Sequence, residues 1–186
     1  MSSQLDLRQA KTMEEGKMND KLLYVGVDNG VSGSLAAVNE EGSWSQTTET
    51  PVFSEQDYVL KKRNVTRIDV MKVRNWMVAL PASGSRVHVI MERPMINPIR
   101  FRATMSAIRA WEAFLISLEG FNFPRITIDS KRWQKEMLPG GCKGPELKKA
   151  SMQVGCRLFP DHGDWIRDHK DADGLLIAEF ARRNKL

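Results

Sequence analysis

The run Leu22-Leu23-Tyr24-Val25-Gly26-Val27, stopped by Asp28-Asn29-Gly30, constrains this chain more than any other feature. A short, nearly continuous apolar run that ends at a tight-turn signal reads as a central strand buried on both faces. Residues 34–38 and 43–49 read as two further strands, joined through Asn39-Glu40-Glu41-Gly42. Together they predict an antiparallel meander with Asp28 where its first strand ends. Residues 68–80 follow with helical spacing (Val70, Val73, Met77, Leu80) and stop at Pro81. A strand is expected over 86–91, closed by Glu92-Arg93-Pro94, because proline cannot donate to a ladder. Amphipathic spacing predicts a long helix over 103–118, stopped by Gly120, and residues 124–128 read as a strand. Asp129-Ser130 can cap a short helix over 131–137. Two more helices are expected, over 145–159 and 170–183. A meander followed by alternating helices and strands defines an α/β class, with a mixed sheet covered by helices on both faces. Residues 1–20 are polar and aperiodic, a flexible leader before a single domain at 21–186.

A length of 186 residues suits one domain able to bury its own core. The 41% hydrophobic and 27% charged fractions exclude wholesale disorder. No apolar run approaches the ~20 residues a membrane span needs. The N-terminus lacks the apolar segment of a signal peptide, so a cytoplasmic location is expected. Cys142 and Cys156 lack CxxC spacing and read as two reduced thiols. The net charge of +5 attracts polyanions, nucleic acid first among them. The cations form clusters along the chain: Lys61-Lys62-Arg63 with Arg67, Arg100/Arg102/Arg109, Lys131-Arg132 with Lys135, and Lys143/Lys148/Lys149. Each could be a solvated face; their dispersal suggests a charged surface built by the fold.

Three acids stand where acids are costly to place. Asp28 and Glu92 end expected strands, and Asp173 falls within the expected last helix, on one face with Leu176 and Phe180. Taken singly they could be a turn aspartate, a strand-end partner of Arg93 and an early-turn acid favoured by the helix dipole. Strand ends and a helix turn can also meet in space, and converging carboxylates call for a cation. Hard oxygen donors suit Mg²⁺ or Mn²⁺, and such ions in pairs serve in-line phosphoryl transfer.

The segment GVDNGVSGSLAAV (26–38) resembles the first-strand motif of RuvC-like Holliday junction resolvases, and VIMERP (89–94) resembles their strand ending in a glutamate. IDSKRWQKEMLPGG followed by ELKKASMQVGCRLFPD is similar to the middle of phage-type members, and DHKDADGLLIAEFARR (168–183) to their closing helix. The resemblance spans roughly residues 22–183 with its motifs in family order. It implies an RNase H-like fold with a five-stranded mixed sheet, a homodimer, and Mg²⁺- or Mn²⁺-dependent nicking of four-way DNA junctions, in the host cytoplasm if the chain is phage-encoded. It also implies that Asp28, Glu92 and Asp173 bind the metal, two ions per site. The family's fourth position is less clean here. His169 lies four residues before Asp173, Lys170 three and Asp171 two. A continuous helix would put His169 on the face of Asp173 and turn Asp171 away, which favours His169 as ligand or proton-transfer group. Asn29 stands where many relatives carry proline, a change a tight turn accepts.

Arg100, Arg102, Lys131, Arg132 and Lys148 are the candidate DNA contacts. Trp133 could stack on a splayed base or sit in the core. Met91, Met95 and Met105 read as core or interface filler. Other classes remain to be weighed against a junction resolvase. These are a related nuclease acting on RNA–DNA hybrids or other branched DNA, and a basic DNA-binding protein without catalysis. An actin-like phosphotransferase would need two duplicated lobes, which 186 residues cannot supply.

Overall fold

A computed structural model describes residues 22–57, 63–80, 85–120 and 122–186. The expected leader, Lys61, Lys62 and the Pro81 helix stop lie outside them. Strands β1 (Leu22–Val27), β2 (Ser34–Asn39) and β3 (Ser45–Glu49) form the expected meander. Strands β4 (Val52–Gln56) and β5 (Asn64–Ile68) pair into a separate two-stranded sheet. Helix α1 (Val70–Ala79), strand β6 (Arg86–Glu92), helix α2 (Phe101–Glu119) and strand β7 (Arg125–Ile128) follow. The chain then runs through α3 (Ser130–Met137), α4 (Pro145–Leu158), α5 (Gly163–His169) and α6 (Asp173–Asn184). The main sheet has the order β3-β2-β1-β6-β7, antiparallel within the meander and parallel where β6 joins β1 and β7 joins β6. It is the mixed five-stranded sheet the sequence predicted. Among the described residues, no helix is long and apolar enough to cross a membrane.

Strand alternation divides the core into two faces. Leu23, Val25 and Val27 of β1, Leu35 and Ala37 of β2, and Val87, Val89 and Met91 of β6 meet Val73 and Met77 of α1 and Ala110, Phe114 and Leu118 of α2. Tyr24, Ala36, Val38, Ile90 and Ile128 point the other way, onto Trp133 of α3, Val154 of α4 and Leu175, Leu176 and Ile177 of α6. The same period-two rule carries Asp28, two residues beyond Gly26, and Glu92, two beyond Ile90, toward this second face. The parallel pairing Val27↔Met91 then sets the next residues, Asp28 and Glu92, at neighbouring strand ends.

Helix α6 lies against the sheet at backbone distance. A Cβ on Gly26 would fall 2.2 Å from the Gly174 carbonyl oxygen and 2.6 Å from the Ala178 nitrogen, so only glycine permits this approach. The Gly174 N–H donates to Ser34 Oγ at 3.2 Å, which anchors the first turn of α6 to the start of β2.

Three expectations need correction. Val52–Gln56 and Asn64–Ile68 pair as β4 and β5, so Ile68 ends a strand; the helix starts at Val70, where Asp69 accepts from the Lys72 N–H at 3.1 Å. Asp129 occupies the cap position of α3 without making a capping bond, and its carboxylate faces Arg93 Nη1 at 3.6 Å. Met91 is core, one of the two roles expected of it, and Met95, 76% exposed, lies outside the core. The largest difference concerns the C-terminus. The single helix expected over 170–183 is two: α5 ends at His169, Lys170 turns left-handed at φ 72°, and α6 begins only at Asp173.

Candidate metal centre

The β1–β2 turn fixes Asp28 through its backbone. Its N–H donates to the Ser34 carbonyl at 3.0 Å, and the Asn29 side-chain amide donates to the Ala107 carbonyl at 3.2 Å, tying the turn to α2. Gly33 closes this turn; a Cβ there would lie 2.3 Å from the Asp28 carbonyl oxygen and 2.9 Å from Oδ2.

Asp28, Asp171 and Asp173 each offer an oxygen within 4.8 Å of the other two. Asp173 opens α6 and accepts a short hydrogen bond from Ser151 Oγ of α4. That same hydroxyl accepts from the Ala172 N–H at 3.0 Å, so Ser151 holds both the residue and its predecessor. Asp171 is only 3% exposed, and its Oδ2 lies 3.3 Å from Lys148 Nζ. Glu92 is outside that trio; it ends β6, at the strand end next to Asp28, and its Oε2 receives the Trp133 indole N–H at 2.6 Å.

The carboxylates stand together with little positive charge beside them. Burial, then the charges of Asp173, Glu92 and Asp171, hold Asp28 well above the usual carboxylate range. Burial pushes Glu92 up to about 7, with Asp173 adding and the Trp133 hydrogen bond opposing. Burial and then Asp171 raise Asp173 to about 6 against the pull of Ser151, Lys148 and His169. Four acids that repel one another in a partly dehydrated pocket are a poor anion site and a good cation site. The donors are all hard oxygens, without a thiolate, so the set fits Mg²⁺ or Mn²⁺. Asp28, Asp171 and Asp173 would hold such an ion, with Glu92 beside them.

The break at Lys170 changes the reading of the fourth position. Asp171, expected to turn away, is drawn into the cluster. His169 does not share a helix with Asp173. Its ring stacks on Trp165 at 4.8 Å between centroids, its Nδ1 lies 3.6 Å from Glu49 Oε1, and its Nε2 lies 3.5 Å from Asp171 Oδ1 without a hydrogen-bond partner. His169 therefore approaches the cluster through Asp171. Sequence reasoning also missed Ser151 and Glu49. No signal marked Ser151, a serine inside an amphipathic helix.

Arg100, Arg102, Lys131 and Arg132 are exposed. Lys131 and Arg132 line a cavity of about 600 Å³ with Arg93, Pro94 and Met95, beyond the end of β6 that carries Glu92. Arg102 and Arg109 line another of about 380 Å³, between β5 and α2. Lys148 faces Asp171 and is two-thirds exposed. Trp133, fully buried, is a core residue and cannot stack on a base. Cys142 and Cys156 are both free.

No family model matches the sequence, and no curated protein matches it. Solved structures do. The Thermus thermophilus RuvC bound to a Holliday junction substrate has a TM-score of 0.50 at 11% identity, covering 88% of this chain and 96% of that one. Another T. thermophilus RuvC structure has a TM-score of 0.43 at 14% identity, covering 89% and 96%. The first likeness defines the class by its fold: an RNase H-like α/β domain. Within that class the fold is similar to that of this RuvC structure, as the sequence motifs implied.

Proposed function

We propose that this protein is a metal-dependent endonuclease that resolves four-way DNA junctions. The observation that carries the reading is the convergence of Asp28, at the end of β1, with Asp171 and Asp173 at the start of α6, and with Glu92 at the neighbouring end of β6, in a RuvC-like fold. Two bound Mg²⁺ or Mn²⁺ ions would supply an activated water and stabilise the leaving oxygen. The protein's part is to hold the four carboxylates in register, and a bound cation would favour their charged forms against burial and mutual repulsion. Lys148 offsets part of their repulsion, and Ser151 and Trp133 fix two of them by hydrogen bonds. His169, stacked on Trp165 with its Nε2 3.5 Å from Asp171 Oδ1, would orient that carboxylate. Arg100, Arg102, Lys131 and Arg132 would contact backbone phosphates, supplying affinity without reading sequence.

A junction has two-fold symmetry and one carboxylate set makes one nick, so the acting species is a homodimer. Helix α2 offers the surface. Met105, Ile108, Trp111 and Leu115 are half-buried, while Phe101 and Ile116 stand 68% and 64% exposed on the same helix. Sedimentation should give a dimer at micromolar concentration; a fully active monomer would refute this part.

The substrate class is tested by offering one preparation a synthetic four-way junction, the matching linear duplex and an RNA–DNA hybrid in Mg²⁺. The reading expects the junction to be cut much faster than the other two. Preferential cutting of the hybrid would move the protein to another nuclease class on the same fold.

A further inference from the structure

The Trp133–Glu92 hydrogen bond has a place in that chemistry. Trp133 is 0% exposed in the core between the sheet and α6, amid Ile90, Ile128, Leu176 and Phe180. An indole N–H has one hydrogen to donate, and a buried one must find an acceptor. Here the acceptor is Glu92 Oε2 at 2.6 Å, from a helix 41 residues further along the chain. Glu92 Oε1 receives no protein donor among the described residues. The carboxylate is thus held at one oxygen and left open at the other.

We propose that Trp133 is a positioning residue for metal binding, fixing Glu92 so that Oε1 is the oxygen presented to the cation. This rests on the metal-centre reading above. The large apolar ring suits the role because its packing leaves the N–H no other direction. A phenylalanine would fill much of that space without constraining the carboxylate. Partners that orient a ligating carboxylate typically change metal affinity 10- to 100-fold when lost.

The test is calorimetric titration of Mn²⁺ into the metal-free, full-length protein without DNA, which reads the site independently of cleavage. Trp133→Phe should weaken Mn²⁺ binding about 10-fold or more. Replacing Trp133 by benzothienylalanine, which keeps the ring shape and exchanges N–H for sulfur, should weaken it equally and settles the matter should the phenylalanine variant fold poorly. In a Glu92→Gln background, Trp133→Phe should cost no further affinity. Parental affinity in the benzothienylalanine protein, or an equal loss with and without Glu92, would overturn the positioning role. If the parent binds no Mn²⁺, the metal-centre reading itself fails, an outcome distinct from either.

Discussion

The two faces of the central sheet are built on different principles. The face toward α1 and α2 is apolar throughout, with Val25, Val27, Leu35, Phe114 and Met77 interlocked and buried. The face toward α3, α4 and α6 brings backbone against backbone at Gly26 and Gly174, and at its rim sets four carboxylates among the buried donors Ser151 and Trp133. One face stores stability; the other gives up some of it to hold like charges together. Substitutions on the first should therefore affect folding, and those on the second catalysis.

The largest expected effects lie at the carboxylates. Asp28→Asn and Asp171→Asn should each slow junction cleavage by more than about 100-fold, within the range of positioned catalytic groups, while binding persists. Gel-shift and cleavage assays on the same preparations separate the two. Near-parental cutting by Asp171→Asn would return the fourth position to His169.

On the opposite face, Phe114→Ala should cost about 3–5 kcal/mol of stability, read by urea unfolding, with little change in kcat while the protein stays folded. A selective loss of kcat would erase the proposed division between faces. Gly26→Ala is the counterpart: overpacking should cost about 1–3 kcal/mol, but by displacing α6 it should also move Asp173 and reduce activity.

Those substitutions also mark what was legible in the sequence. Strands β1, β2 and β6 and helix α2 could be read because apolar period and turn residues agreed. The position of Asp28 and Glu92 on one face followed from alternation once the strands were placed. The β4–β5 hairpin was hidden by its exposure. Val52 and Phe53 are 36% and 41% exposed, and the other residues of β4 and most of β5 are polar, so the apolar period that marks a buried strand is missing. The break at Lys170 was hidden for a different reason. A left-handed residue is usually glycine or asparagine, and a lysine there gives no warning. That one φ angle moved Asp171 into the site and separated His169 from the helix of Asp173. The one available hint was Asp171 itself, an acid two residues before Asp173 whose Oδ1 lies 3.4 Å from the Asp173 N–H, as a helix-start residue would.

Smaller effects sharpen the comparison. His169→Ala should slow cleavage about 10- to 100-fold, as the loss of a group acting through a ligand does. Its effect should stay below that of Asp171→Asn; the reverse order would make the imidazole the primary group.

The metal-free protein should melt at a higher temperature at pH 5.5 than at pH 7.5. Asp28, Glu92 and Asp173 bind protons more readily folded than unfolded, so they stabilise fully below their ordinary values; Asp173 and Glu92 lose that contribution as pH rises through about 6 and about 7, and Asp28 loses its own above the usual carboxylate range. Adding Mg²⁺ at pH 7.5 should recover the difference by binding only the folded state. A melting temperature indifferent to both pH and Mg²⁺ would mean the acids do not interact as the geometry requires.

The most direct test of the account is strand-resolved cleavage of a four-way junction by the parent protein and by Asp28→Asn, each in Mg²⁺ and in EDTA. The account predicts paired nicks at symmetric positions on opposing strands for the parent in Mg²⁺ alone, and none in the other three reactions. Nicks that persist in EDTA or in the Asp28→Asn protein would contradict it, since the carboxylate cluster would then not be the centre that cuts.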